Sequence, residues 1–352
     1  MAAARLIAER LGSGGRLVVQ GSDRAAADAR HVVVEYLHPV IVGKPALPAV
    51  LATTAVTSGN TQGPMSGDGQ PHGHAGPKTT DGAKDVIIGI AYDGSRLDGA
   101  VDVAISDHPV PGADVQIDLP SNPNRAKHAA VVSYHILWEM THTFLQQRAG
   151  SGGTGSSLEA LYPMLYESGS TASPDNQALS SVAEKLAEAA EVRGRTLTEN
   201  NLAIDRAAEI LAAASSIFTF GNGGSATDAA DLAYALGSKG VALSSDMATV
   251  TALANDVSFD VVFARPLATL ARSDDAVVGL STSGGSTNVL AGLRYAKSSG
   301  IPCIGLAGYW GGEMTAVEPD VMLTVDSTSV HRIQEAQVAL YSEVVERAAL
   351  TP

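Results

Sequence analysis

Short apolar runs alternate with longer amphipathic segments through the second half of the chain. The short runs are typical of buried strands, and the segments between them repeat apolar positions with helical spacing. Predicted strands cover 217–220, 241–245, 275–283, 302–308 and 320–327. Predicted helices cover 225–236, 258–272, 286–299 and 330–348. This alternation predicts a parallel sheet with helices on both faces.

The first half repeats this pattern in a weaker form. Predicted strands cover 16–21, 46–54, 85–95 and 113–121, and predicted helices cover 22–38 and 125–147. Aligning the halves pairs Gly21 with Gly221 and Asp28 with Asp228, whereas a counterpart of helix 286–299 is nearly absent. The expected fold class is therefore α/β, with two tandem three-layer α/β/α domains. Each has a mostly parallel sheet, and the N-terminal domain is degenerate.

Two segments of low complexity help to place the domain boundary. Residues 57–84 are rich in Gly, Pro, Ser and His and predict a long loop, in which the His-Gly-His of 72–74 is interpreted as a mobile tract rather than a metal site. Residues 148–157 have the composition of a flexible linker. We expect a first domain at 1–147, a linker at 148–180 and a second domain at 181–352.

Composition narrows the function classes. The chain has 352 residues and a formal net charge of −14, which disfavours general binding to nucleic acid or to an anionic membrane. Its single cysteine, Cys303, excludes a disulfide within one chain and suits a reducing cytosol, so a cytoplasmic location is predicted. No apolar stretch reaches the roughly 20 residues that cross a bilayer. The first 15 residues are interpreted as a short helix rather than a signal peptide.

Two loops have the composition of phosphate-binding sites. Gly221-Asn222-Gly223-Gly224-Ser225 follows a predicted strand and opens a helix, so its backbone N–H groups and the helix dipole favour an anion. The loop also fits a dinucleotide pattern through Ala226, with Asp246 as the ribose ligand, which is the weaker alternative. A second loop, residues 281–286, places hydroxyls and glycines at another helix start, which favours a phosphomonoester over a merely capped turn.

The segments 220–233, 251–312 and 331–346, which include both loops, resemble the sugar isomerase (SIS) domain family. Within that family they resemble the phosphoheptose isomerases, which convert sedoheptulose 7-phosphate to D-glycero-D-manno-heptose 7-phosphate. The resemblance spans about 180–348 and implies that Ser225, Ser281, Ser283 and Ser286 hold the phosphate, while Asp256 lines the sugar site. It also assigns to substrate binding Asn222, Gly223, Thr282 and Gln334.

The acid–base groups of that family are missing from the second half. The family has a His-x-x-x-Glu pair after the first loop, and a Gln followed eight residues later by a His on the last helix. In the second half Asp231 and Ala235 stand at the first pair; Gln334 is retained, but Ser342 replaces the His.

The first half restores these groups and lacks the phosphate loops. His31 and Glu35 stand four residues apart, on one face of a helix, and His135 stands at the position of the family's His. Lys127 replaces the Gln. The losses are complementary, so we expect a fused pseudo-dimer whose site combines both halves.

The resemblance implies an aldose–ketose isomerisation, in which a proton moves between C1 and C2. We expect Glu35 to act as the base, with a pKa raised by partial burial, and His135 to shuttle the proton on oxygen. Alternatively His31, Glu35 and His135 hold a zinc ion, with Gln334 or a water as fourth ligand. Lys127 opposes a metal unless it binds substrate.

A competing interpretation is a non-catalytic phosphosugar-binding regulator or scaffold, since SIS domains also serve those roles. The expected partners are a sugar phosphate and further copies of the chain, as a dimer of pseudo-dimers. Trp138 and Trp310 are interpreted as packing residues, and His142 and His331 receive no role. The sequence leaves open which sugar phosphate is used.

Overall fold

The structure is a computed structural model, which describes residues 1–39, 44–52, 85–149 and 174–350. The predicted loop at 57–84 and most of the predicted linker therefore lie outside the described residues. None of the described helices is long and apolar enough to cross a membrane.

In the described residues, the first unit consists of a five-stranded parallel sheet and three helices. Helix α1 (Ala2–Gly12) precedes strand β1 (Leu17–Gly21), and helix α2 (Ala25–Leu37) follows it. The other strands are β2 (Ala49–Leu51), β3 (Val86–Ala91), β4 (Val103–Ser106) and β5 (Val115–Asp118). Helix α3 (Pro123–Ala149) closes the unit. The strand order is β2-β1-β3-β4-β5, with every neighbouring pair parallel.

The second unit begins with two helices, α4 (Pro174–Glu199) and α5 (Asn201–Ala213). Its strands are β6 (Ile217–Phe220), β7 (Gly240–Ala242), β8 (Ala276–Ser281), β9 (Cys303–Ala307) and β10 (Val321–Thr324). Its later helices are α6 (Gly224–Ala235), α7 (Met247–Asp256), α8 (Ala264–Leu270), α9 (Thr287–Ser298) and α10 (Val330–Arg347). The strand order β10-β9-β8-β6-β7 repeats that of the first unit.

The units differ on one face of their sheets. In the second unit α9 packs on β8, and Leu293 approaches Gly279 so closely that a Cβ there would lie 3.1 Å from it. In the first unit no helix lies between β3 and β4, and Leu97 of the connecting loop packs against Gly89 instead. The predicted tandem α/β fold with a degenerate first unit is confirmed.

Several elements differ from those predicted, among them helices α4 and α5, which were not predicted. Strand β4 was not predicted, because its apolar run of Val103–Ser106 is short. Helix α7 was not predicted either. The predicted helix 258–272 is a 3-10 turn at Phe259–Val261 followed by α8, whose first turn holds Pro266. Proline has no N–H to donate, so it is tolerated in a first turn but not further along a helix.

Equivalent helices of the two units pack on each other. Helix α2 contacts α6, and α3 contacts α10. One apolar core runs through this junction and includes Tyr36 and Trp138 from the first unit and Ile333 and Leu340 from the second. The pairing of each helix with its own counterpart is the pattern of a two-fold symmetric dimer interface. The junction therefore brings the side chains of α2, α3, α6 and α10 into one buried layer.

Candidate functional site

The predicted acid–base residues of the first unit lie together in this layer. His31 and Glu35 lie one turn apart on α2, with His31 Nε2 3.6 Å from Glu35 Oε1. The His135 ring on α3 lies edge-on to His31 at 5.4 Å between centroids. One ligand atom from each residue lies within 4.8 Å of the others, and all three side chains are buried. The spacing of these donors can hold a metal ion.

Gln334 of α10 brings the second unit to the same point. Its Nε2 lies 3.2 Å from His31 Nε2. We call the cluster of His31, Glu35, His135 and Gln334 the open centre, because four of its buried side-chain atoms have no hydrogen-bond partner in the described parts of the chain. Those atoms are His31 Nδ1, Glu35 Oε1, His135 Nε2 and Gln334 Oε1.

The first glycine loop lies directly against the open centre. Gly224 begins α6, and a Cβ at this position would lie 2.1 Å from Gln334 Nε2 and 2.9 Å from His31 Nε2. Only glycine permits this approach of the backbone. The predicted phosphate loop of one unit and the predicted acid–base groups of the other are therefore neighbours.

The second loop, residues 281–286, lies at the carboxyl end of β8. Ser281 Oγ lies 3.1 Å from Ser286 Oγ and 3.5 Å from Ser283 Oγ, and it accepts from the Gly284 N–H. Ser286 stands at the N-cap position of α9 without a side-chain capping bond, and the first N–H groups and dipole of this helix favour an anion. Ser283 is exposed, whereas Ser281 is buried. This arrangement can receive a phosphate on the side of Ser283.

The other predicted substrate residues differ in burial and in their hydrogen-bond partners. Ser225 is buried in the first turn of α6, next to Gly223, whose φ of 55° lies in the left-handed region. Thr282 is half-buried, and its carbonyl accepts from Gly308. Asp256 is exposed at the end of α7 and accepts from Asn255; no hydrogen bond among the described residues joins it to the loops.

Asn222 is held by a residue that the sequence did not single out. Its amide exchanges two hydrogen bonds with the amide of Asn288 on α9, at 2.8 and 2.9 Å. Asn288 is buried. The pair joins the two loops, so the side chain of Asn222 is a bridge between them.

The expectation of a raised pKa for Glu35 is wrong. Burial alone would raise it, but the imidazoles of His31 and His331 outweigh burial and lower the pKa of Glu35 to about 2. Glu35 is therefore an ionised carboxylate at neutral pH. This state suits a metal ligand and makes Glu35 a weak base.

His135 is a neutral imidazole, and its Nε2 has no hydrogen-bond partner among the described residues. Its Nδ1 lies 3.0 Å from Glu335 Oε1; in the tautomer whose Nδ1 donates to this carboxylate, Nε2 is an acceptor. Burial and the neighbouring His331 lower the pKa of His135 well below its usual value. A neutral Nε2 can bind a metal or accept a proton.

Two further residues complete this surrounding. His331 lies between Glu139 and Glu35 and stacks on His135, with ring centroids 4.4 Å apart. Asp228 of α6 lies 3.9 Å from His31 Nδ1, and burial raises its pKa to about 6. The sequence could have indicated both residues, because helical spacing puts each on the same face as a predicted site residue. His331 precedes Gln334 by three residues, and Asp228 is one turn after Gly224.

Of the two tryptophans, only one packs as expected. Trp138 is fully buried and donates to the Glu35 carbonyl at 2.8 Å. Trp310 is 60% exposed, so its interpretation as a packing residue is wrong. It lies in a turn whose Tyr309 and Trp310 both have positive φ.

A second buried cluster, the closed centre, consists of Arg24, Asp28, Lys127 and Asp231. Lys127 Nζ lies 2.7 Å from Asp28 and 3.8 Å from Asp231, and Arg24 Nε lies 3.0 Å from Asp231. In the alignment of the two units these residues hold the positions that correspond to Gly224, Asp228, Gln334 and His31. Lys127 therefore pairs with carboxylates of its own cluster, which removes the conflict between its charge and a metal.

The fold and the site together define a tandem α/β protein of the sugar-phosphate isomerase type. The family described as SIS domain matches residues 186–308. A phosphoheptose isomerase of Burkholderia pseudomallei (strain 1710b) is 34% identical over 181 residues, which cover 47% of this chain and 91% of that protein. One of Solidesulfovibrio magneticus is 39% identical over 178 residues, covering 46% and 85%. The chain belongs to the SIS domain family and is similar to its phosphoheptose isomerases.

A solved structure matches both units together. The C-terminal domain of glucosamine-fructose-6-phosphate aminotransferase from Francisella tularensis covers 99% of this chain and 91% of its own, with a TM-score of 0.58. At 11% sequence identity this likeness concerns the fold alone. It supports the reading of the chain as two tandem units.

Proposed function

We propose that the chain is an aldose–ketose isomerase acting on a sugar phosphate, with sedoheptulose 7-phosphate as the first substrate to test. The contact of Gly224 with His31 and Gln334 carries this proposal. It sets an anion-binding loop of one unit beside proton-transfer groups of the other. A single chain thereby holds the combined site that the two incomplete halves require.

The second unit grips the phosphate. Ser283 is exposed on the second loop, which leads into α9, and the bonds between Asn222 and Asn288 join this loop to the first. Binding the phosphate here orients the sugar chain toward Gly224 and the open centre. Remote binding of this kind positions the reacting carbons without taking part in the chemistry.

The open centre handles the protons. The carboxylate of Glu35 is ionised, and its Oε1 has no hydrogen-bond partner among the described residues, which supports its assignment as the group that carries a proton between C1 and C2. His135 Nε2 is available to accept the proton of the sugar hydroxyl, while Glu335 holds the opposite nitrogen. Because Glu35 is a weak base, transfer depends on strong polarisation of the substrate carbonyl.

The donor set fits a zinc ion. His31, Glu35 and His135 offer two imidazoles and a carboxylate within 4.8 Å, and Gln334 adds an amide oxygen without a partner in the described chain. These residues would hold the metal, which supplies Lewis acidity for the substrate carbonyl when bound.

The shared strand order supports an origin by duplication, with the boundary between the units within 148–180. In this proposal one chain replaces two subunits of a symmetric assembly. Association of whole chains into a larger oligomer, and a cytoplasmic location, stay predictions.

The test is turnover of sedoheptulose 7-phosphate by the full-length protein, with zinc added. Wild type is expected to be active, and E35Q should lose about 10²-fold or more in kcat, the range of a positioned acid–base group. S283A should mainly raise KM. The matched control is K297M, whose exposed ion pair with Asp320 lies elsewhere and should leave turnover unchanged.

Two outcomes would count against the proposal. Normal kcat in E35Q would remove Glu35 from the chemistry. Absence of turnover in wild type, with retained binding of the sugar phosphate, would favour the phosphosugar-binding regulator instead.

A further inference from the structure

His331 touches two members of the open centre at once. Its Nε2 lies 3.4 Å from Glu35 Oε2, and its ring stacks on His135 with an angle of 12° between the planes. His331 belongs to α10 of the second unit, whereas Glu35 and His135 belong to the first. A single side chain therefore sets the relation between two groups that the fold brings together from different helices.

The contact with Glu35 determines which carboxylate oxygen remains available. His331 occupies Oε2, and the other oxygen, Oε1, is the one that faces His31 at 3.6 Å. A carboxylate that is fixed through one oxygen presents the other in a single direction. Partners of this kind, outside the ligands themselves, commonly orient metal ligands in proteins.

His331 is itself anchored from the opposite side. Its Nδ1 lies 2.8 Å from Glu139 Oε1, and Lys185 Nζ of α4 lies 3.0 Å from Glu139 Oε2. The indole of Trp138 meets the His331 ring edge-on at 5.2 Å. With a partner at each nitrogen and aromatic rings on its face and edge, the imidazole has one orientation.

The residue that corresponds to His331 beside the closed centre is Asn124, which makes a different kind of contact. Asn124 precedes Lys127 by three residues, as His331 precedes Gln334. Its amide oxygen accepts from Arg24 at 3.2 Å and so supports an ion pair. Of the two equivalent positions, only the one beside the open centre, whose ligand atoms have no partner in the described chain, is occupied by a histidine.

We propose that His331 is a positioning residue, which holds Glu35 and His135 in the arrangement that binds a divalent metal ion. The inference rests on the proposed function, because the metal is part of that site. His331 acts through Glu35 and His135 and supplies no ligand itself.

The experiment measures the zinc affinity of full-length variants by competition with a chromophoric chelator. Two substitutions separate the two nitrogens: H331N keeps a donor near the position of Nδ1, and H331Q keeps one near Nε2. We expect H331N to bind zinc about 10- to 100-fold more weakly than wild type, the loss typical of an outer partner of a ligand. H331Q should recover most of that affinity, at an unfolding midpoint similar to that of H331N.

A role in packing alone would affect both variants equally. Zinc affinity in H331N within about 2-fold of wild type, a ratio worth only about 0.4 kcal/mol, would overturn the positioning role while leaving the metal site intact. If H331N does not fold, E139Q tests the same anchor from its partner and should weaken zinc binding in the same direction. Wild type that binds no zinc would overturn this inference and the metal part of the proposed function, whereas turnover without zinc would leave the isomerase assignment standing.

Discussion

The open and closed centres occupy equivalent places in the two units but differ in how the hydrogen bonds of their aspartates are satisfied. Asp28 accepts hydrogen bonds from Lys127, Tyr134 and Tyr92. Its counterpart Asp228 has no hydrogen-bond partner on either oxygen among the described residues. A buried polar group without a partner costs stability and calls for an explanation, which a ligand of the proposed site would supply.

The same contrast separates the residues that stand at the start of α6 and α2. Gly224 leaves room beside His31, whereas Arg24 at the corresponding position fills the space with a buried guanidinium bound to Asp231. Burial lowers the pKa of Lys127, but the carboxylates of Asp231 and Asp28 outweigh it and raise that pKa, so the lysine stays charged. The closed centre thus joins the units by ion pairs, and one site per chain is expected where a symmetric dimer has two.

The largest expected effect comes from breaking the closed centre. K127M leaves Asp28 and Asp231 in the interior without their shared cation. Removing one partner of a buried ion pair typically costs about 3–5 kcal/mol, and we expect that loss in the free energy of unfolding by urea. The matched control is K297M, which breaks a half-exposed pair and should cost less than about 1 kcal/mol. Equal losses in both variants would show that the closed centre contributes no more than a surface pair.

A second comparison uses the same substitution in both centres. D28N removes the partner of Lys127 and should destabilise the protein by about 2–3 kcal/mol. D228N removes a buried charge that has no donor and should be neutral or stabilising by up to about 3 kcal/mol at pH 8. Urea unfolding with a metal chelator present measures both. Destabilisation of similar size in the two variants would contradict the assignment of Asp228 to an open site.

The pH dependence of stability sharpens this difference. Burial raises the pKa of Asp228 from 3.8 to about 6, so the folded protein holds a proton that the unfolded chain releases between these values. The resulting stabilisation is complete below pH 4 and is lost as pH rises through about 6. A shift of about two pH units corresponds to about 3 kcal/mol, so wild type should lose up to that amount relative to D228N between pH 4 and 7. Parallel pH profiles of the two proteins would rule out a raised pKa.

Local spacing predicted much of the site, and long-range contacts explain what it missed. The pair His31 and Glu35 follows from a helical repeat of four residues, and the loops at 221–225 and 281–286 follow from glycines and serines after strands. The pKa of Glu35 was predicted in the wrong direction, because burial can be inferred locally whereas its partner His331 is 296 residues away.

The closed centre illustrates the same limit. Lys127 and Asp28 are 99 residues apart, and Arg24 and Asp231 are 207 apart. Each residue alone is compatible with a solvated helix face. Their pairing depends on how α2 and α3 of the first unit pack on α6 and α10, which the pattern of apolar residues does not specify. The tandem fold was predicted because repeated strand patterns are local in each half.

The smallest expected effect concerns the loops that precede the two centres. Asn222 bridges its loop to the buried Asn288, whereas Ser22 at the equivalent position donates to the Arg96 carbonyl at 3.2 Å, in a solvent-accessible bond. N222A should raise KM for the sugar phosphate by about 5-fold, since one net hydrogen bond contributes about 1 kcal/mol. S22A should leave KM unchanged and cost less than about 0.5 kcal/mol in urea unfolding. Because only the second unit carries the phosphate loops in this account, a comparable rise of KM in S22A would mean that the first unit also binds substrate.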